Sequence, residues 1–273
     1  MANALFVVWR ECLEAFLVIG ILYGWLVANG GGQGRWLVGS ARTAMVGGVL
    51  GGLVLALLLG WSMLFVQDEL AGERLEMFQT AILLVAALLI THMVLWMRRH
   101  GRQMRQQMHS ELSRASERSG YWGVALVVAL AIAREGAETV IFLYGLSQSG
   151  DTTSLFLGAV AGFVAALATA AVVAIGLVRL NFSLVLSLSS WVLLLLASAL
   201  LVAGVDRMIG NGWLPPMIEP VWDSSALLDD GEGAGQWLAD FAGYRARPAL
   251  LTLLAWGGFW LLVLFAQRKN AHD

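Results

Sequence analysis

A run of about 20 apolar residues, coiled as a helix, matches the hydrocarbon thickness of a bilayer. This chain has seven such runs, over 4–28, 40–66, 77–97, 121–146, 154–177, 183–205 and 248–266. Composition agrees, because 59% hydrophobic and 13% charged residues leave too little polar surface for a soluble domain. The expected fold is an all-α integral membrane protein, a single membrane domain over 1–273 with seven transmembrane helices. No basic stretch precedes the first run, and Arg10, Glu11 and Glu14 interrupt it, so it is expected to be retained as a helix, not cleaved as a signal.

Basic residues orient the spans. Arg98, Arg99, Arg102, Arg105, Arg114 and Arg118 crowd the link 98–120, which the positive-inside bias assigns to the cytoplasm. Alternation puts Arg35, Arg42, Arg179, Arg268 and Lys269 on that side too, with the N-terminus outside and the C-terminus inside. The outer links are acidic: Asp68, Glu69, Glu73 and Glu76 in the first, and seven carboxylates in the extracytoplasmic loop 206–247. They form either a plain solvated surface or one that gathers cations within about 10 Å. Inside that loop, Pro215, Pro216 and Pro220 stop regular structure, and "GQWLADFAGY" reads as a short interfacial helix.

Several functions are excluded early. A net charge of −2 offers nothing to nucleic acid, and the lone cysteine, Cys12, forms no intramolecular disulfide. There is no phosphate-binding glycine loop, no "HExxH" and no domain large enough to hydrolyse nucleotide, so ATP-driven pumping by this chain alone is not expected and a transporter, not an enzyme, is the first reading.

Charge inside the membrane is the informative exception. "RECLE" at 10–14 recurs as "REGAE" at 134–138, and each copy runs on to "LYG". "GGVLG" at 47–51 has a counterpart in "GAVAG" at 158–162. Spans one to three (1–97) and four to six (121–205) therefore read as two three-helix repeats of inverted topology, with 248–266 as a seventh helix. Within each motif the first glutamate lies about 60° from the second and the arginine about 40°, a polar stripe kept from lipid. Antiparallel packing of spans one and four would bring Glu11, Glu14, Glu135 and Glu138 to one level. Carboxylate oxygens suit a hard cation such as Fe, Mn, Mg or Ca. Arg10 and Arg134 would hold the carboxylates and limit their repulsion. Ion pairs that merely lock helices, or a proton relay without metal, use the same residues.

The paired motifs resemble those of the high-affinity iron permease family, the oxidase-dependent iron transporters of bacteria and fungi, along the whole membrane chain. The resemblance implies a bacterial inner-membrane protein whose glutamates bind and pass iron. It also implies partners that oxidise or deliver iron: a periplasmic cupredoxin-like protein and haem peroxidase in bacteria, a multicopper oxidase in fungi. Cys12 stands where the family motif has glycine; it is a small filler or a thiol beside the stripe.

The expected function is thus iron uptake through Glu11, Glu14, Glu135 and Glu138, with iron as cargo and no resident cofactor. A proton-coupled transporter of another cation or solute, and a membrane enzyme or metal sensor, are the alternatives. His92 reads as a pathway ligand or relay, or as a group bonded to a helix carbonyl. Met63, Met77, Met93 and Met97 read as packing, and Gly47, Gly48, Gly51 and Gly52 as a close-approach surface.

Overall fold

Small residues decide how this bundle packs. On α2 (Arg35–Glu69) Gly48, Gly52 and Ala56 form a buried stripe at four-residue spacing, while Leu50, Leu53, Leu57 and Trp61 are exposed. On α5 (Thr152–Ala174) Gly158, Gly162 and Ala166 form the same stripe. Each stripe lets another helix backbone close in. A Cβ on Gly48 or Gly52 would stand 2.6 Å from the Ala125 carbonyl or 2.7 Å from the Ala129 carbonyl of α4 (Met104–Ser147). A Cβ on Gly158 or Gly162 would run into the Met1 or Leu5 carbonyl of the first chain segment. Glycine is the residue that permits such approach.

The computed structural model describes residues 1–30, 35–100, 104–148, 152–174 and 182–270. These contain eight helices; the others are α1 (Ala2–Gly30), α3 (Glu73–His100), α6 (Phe182–Gly210), α7 (Gly233–Ala242) and α8 (Leu250–Asn270). By length and composition, five are apolar enough to cross a membrane: 42–69, 73–97, 152–173, 188–210 and 250–268. α1 and α4 are long as well, but each carries an arginine and two glutamates within its apolar stretch. The chain is a multi-pass helical membrane protein. α4 departs from expectation at its start. It is helical from Met104, whereas the sequence reads 98–120 as a link, because charge marks where the membrane ends and not where a helix must.

Contact pairs fix the relative directions. Positions rise together along α2 and α4, from Gly48 with Ala125 to Gln67, whose Oε1 accepts from Tyr144 Oη at 2.6 Å, so these helices run parallel. α1 and α5 are parallel for the same reason, from Met1 with Gly158 to Trp9, whose Nε1 donates to Thr169 Oγ1 at 3.2 Å. α1 opposes α4: its Val18 and Leu22 pack with Val124, Val128 and Ile132, while its Ala4 and Val7 share a cluster with Phe142 and Leu146. α3 opposes α6, with Glu76 beside Arg207 at 3.6 Å and Leu84 near Gly204. Residues 83–94 of α3 and 193–200 of α6 build the larger apolar core.

One end of the bundle gathers the acidic links. Asn3 Nδ2 donates to the Asp240 carbonyl of α7 at 3.0 Å. Asp206 takes Arg245 Nε at 2.6 Å on Oδ2 and Thr252 Oγ1 at 2.6 Å on Oδ1, tying α6, the loop and α8 together. The stretch read as a short helix is helical as α7, with Trp237 stacked on Phe241 and a left-handed stop at Gly243 (φ 74°). The hydroxyl and amide of Ser225, with Arg247, hold the Asp223 carboxyl down at about 2.

Gly52→Ala is expected to destabilise the detergent-solubilised protein by about 1–3 kcal/mol, as an overpacked contact does. Gly47→Ala, with open space around it, should stay within about 0.5 kcal/mol. Thermal unfolding of the two variants side by side checks both.

Candidate functional site

Along α1 the charged motif falls between the two apolar clusters. Ala4 and Val7 close it toward one end, and Val18 and Leu22 toward the other. Arg10 and Glu11 are accordingly almost inaccessible, at 2% and 1% exposure, and Glu14 is buried too. Charges so placed must be compensated locally, since no water does it for them.

Arg10 does this with both edges of its guanidinium. Nη1 lies 2.9 Å from Glu11 Oε1, and Nη2 lies 2.8 Å from Glu14 Oε1. Nη1 also donates to Met93 Sδ at 3.4 Å and Nη2 to Met97 Sδ at 3.0 Å, both on α3. The four-residue step between these methionines puts them on one face of α3.

From the opposing helix α4, Glu135 completes a group of three. One carboxylate oxygen from each of Glu11, Glu14 and Glu135 lies within 4.8 Å of the others. A cation with oxygen ligands at about 2.0–2.6 Å has its opposite ligands about 4–5 Å apart, so three donors are already at coordinating distance. Glu11 Oε2 is buried and has no hydrogen-bond partner, leaving acceptor capacity for an ion. The donor set is all oxygen, the choice of a hard cation.

Glu138 is not in this group of three. Its Oε1 accepts from Arg134 Nε at 3.0 Å, and its Oε2 is buried without a hydrogen bond. Arg134 also lies over the Trp96 ring, 5.3 Å from the centroid, within cation–π range. Unlike Arg10, it is open: its side chain is 52% exposed. The two motif copies share their arginine and both glutamates but differ in structure, one sealed and one reaching the surface.

The remaining sequence candidates fall outside the group. Cys12 is half-buried beside Glu11 and contributes no donor to it. Its counterpart Gly136 faces α2, where a Cβ would stand 2.5 Å from that of Ala56. His92 is exposed on α3, between turns whose buried members are Ile90, Met93 and Val94. Met93 and Met97, read from sequence as packing, do pack, and they also touch Arg10. Their four-residue spacing opposite a buried arginine was the available signal, and it shows only once α3 is known to cover α1.

Residues 1–268 match the family described as the iron permease FTR1 family. The chain belongs to the iron permease FTR1 family. Similar relatives span nearly its whole length. The ferrous iron permease EfeU of Escherichia coli O6:H1 strain CFT073 is 27% identical over 92% of this chain and 89% of its own. The protein of the same name from Shigella sonnei strain Ss046 is 27% identical over 96% and 94%, and that of Yersinia pestis 26% over 89% and 85%. No solved structure matches. As a member of this permease family, the chain is a membrane transporter and not an enzyme, with iron as its cargo.

Proposed function

We propose that this permease imports iron across a bacterial inner membrane through the carboxylates that α1 and α4 present to each other. In this reading α1 to α6 and α8 are seven spans, α7 lies outside, and the N-terminus is outside with the C-terminus inside. The observation that carries it is the trio of buried Glu11 and Glu14 with half-buried Glu135, drawn from two opposed helices to within 4.8 Å.

The contact pattern supports an inverted repeat of 1–97 and 121–205. Positions 124 apart play matching roles: Met1 and Ala125, Leu5 and Ala129 offer the carbonyls that the glycine stripes meet, and Arg10 and Arg134 open the two motifs. Gly48 and Gly158, like Gly52 and Gly162, are 110 apart. The equivalence thus runs one residue off the 47–51 alignment read from sequence. Each repeat's first helix lies on the other's second, and the two first helices cross at the site, where inverted-repeat transporters hold their cargo.

Iron arriving from an oxidising or delivering partner collects at the acidic outer end. Glu138, the more open carboxylate at 15% side-chain exposure against 1% for Glu11, meets it first, and Glu11, Glu14 and Glu135 then replace its water. Four carboxylates against two arginines leave a formal charge of −2, which a multivalent cation relieves. The membrane potential favours inward passage by about 2.3 kcal/mol per charge per 100 mV. Uptake of Fe(II), Fe(III), Mn(II) and Pb(II) into proteoliposomes at two pH values tests this. Saturable iron uptake is expected. Movement of protons with another solute, and no metal, would establish the proton-coupled alternative instead.

A further inference from the structure

We infer that Met93 and Met97 are positioning residues: a neutral seat on α3 that keeps the Arg10 guanidinium in place while the arriving cation takes Glu11 and Glu14 from it. This rests on the carboxylate site proposed above. A guanidinium has five N–H donors. Here each Nη divides its contacts between one carboxylate and one thioether, and Nε is buried without a partner. The cation and Arg10 draw on the same two carboxylates: Glu11 Oε1 and Glu14 Oε1 face the guanidinium, and Glu11 Oε2 is the oxygen without a partner. At 2% exposure the arginine has no water to move into. When the cation binds, Arg10 needs another acceptor within reach, and the two sulfurs at 3.4 and 3.0 Å are in place.

The chemistry of the seat matters as much as its position. A thioether is a weak, polarizable, uncharged acceptor. It holds the guanidinium too loosely to strip it from the carboxylates in the empty site, and it is too soft to draw a hard cation off them. A carboxylate at either position would trap the arginine, and a leucine would leave it with no alternative to the glutamates. The same turn of α3 serves the second arginine in kind, since Trp96 presents its ring to Arg134 at 5.3 Å. Both motif arginines thus meet uncharged partners on one helix, and their full charge stays available to the glutamates.

The test uses the full chain in proteoliposomes for iron uptake and in detergent for Mn(II) binding by calorimetry. The volume-conserving pair Met93→Leu/Met97→Leu is expected to raise the KM for iron and the Kd for Mn(II) by roughly tenfold, as loss of an outer support does, with the maximal rate changed less than about twofold. Met93→Gln/Met97→Gln, which restores an uncharged oxygen acceptor at similar reach, is expected to recover most of that loss. Leucine variants with unchanged KM and Kd would overturn the seat. So would a joint fall in rate, affinity and thermal stability that glutamine fails to rescue, which marks plain packing. Loss of Ag(I) binding with iron KM intact would overturn it too, by making the sulfurs ligands. Glu14→Gln separates the levels: Mn(II) binding that survives it removes the site and the seat together, whereas binding lost there but unchanged in the leucine pair removes the seat alone.

Discussion

Glu135→Gln is expected to cut iron uptake by roughly a hundredfold or more while the protein stays folded. Glu135 supplies the α4 oxygen in the group of three, so without its charge the remaining donors come from one helix. Among the described residues it has no arginine at ion-pair distance, whereas Glu11 and Glu14 share Arg10 and Glu138 has Arg134. Its negative charge is therefore the least compensated of the four. Glutamine keeps the size and one oxygen and removes the repulsion with Glu11 and Glu14. Thermal stability in detergent should hold or rise as transport falls, a combination that a purely structural glutamate does not produce. Uptake at the parental level would show that iron does not need this side chain. A parallel loss of stability and uptake would return Glu135 to the role of a helix lock.

Much of this was legible in the sequence, and the limits have physical causes. Run length foretold the long helices, and the recurrence of Arg-Glu-x-x-Glu at the same depth foretold that α1 and α4 would meet through it. Helical angle, however, says which residues share a face and not which neighbour covers that face. Four glutamates were expected at one level, yet Glu138 turns to Arg134 and three come together, a choice made by side-chain rotamers. Nor does the motif distinguish its copies: the enclosure of Arg10 and the openness of Arg134 come from what packs over each. His92 stands out as a polar group within an apolar run, and a one-residue step on α3 separates the exposed His92 from the buried Met93. The methionines were hidden for the opposite reason, since a thioether facing an arginine and one facing lipid look alike in a string of letters. The glycines were legible as a surface, and which two of the four carry the approach was set by the register of α2 on α4.

Arg10→Ala and Arg134→Ala, identical changes to equivalent letters, are expected to have very different consequences. Removing Arg10 leaves Glu11 and Glu14 buried and without a counter-ion, a loss of about 3–5 kcal/mol when one partner of a buried pair is deleted. That is a large share of the stability of any fold, so the variant should accumulate poorly and unfold far below the parent in detergent. Removing Arg134 breaks a pair whose arginine is 52% exposed, so it leaves no pair of sealed carboxylates behind and should cost less stability than the loss of Arg10. Its variant should fold, with any loss appearing in transport. Charge balance provides the control. In Arg10→Ala with Glu11→Gln and Glu14→Gln the buried charges go together, so stability should return while uptake does not, because the two anionic donors are gone with the arginine. If the single variants instead unfold alike, Arg134 is enclosed as fully as Arg10, and the division into a sealed half and an open half, on which the inward order from Glu138 to the trio depends, is lost.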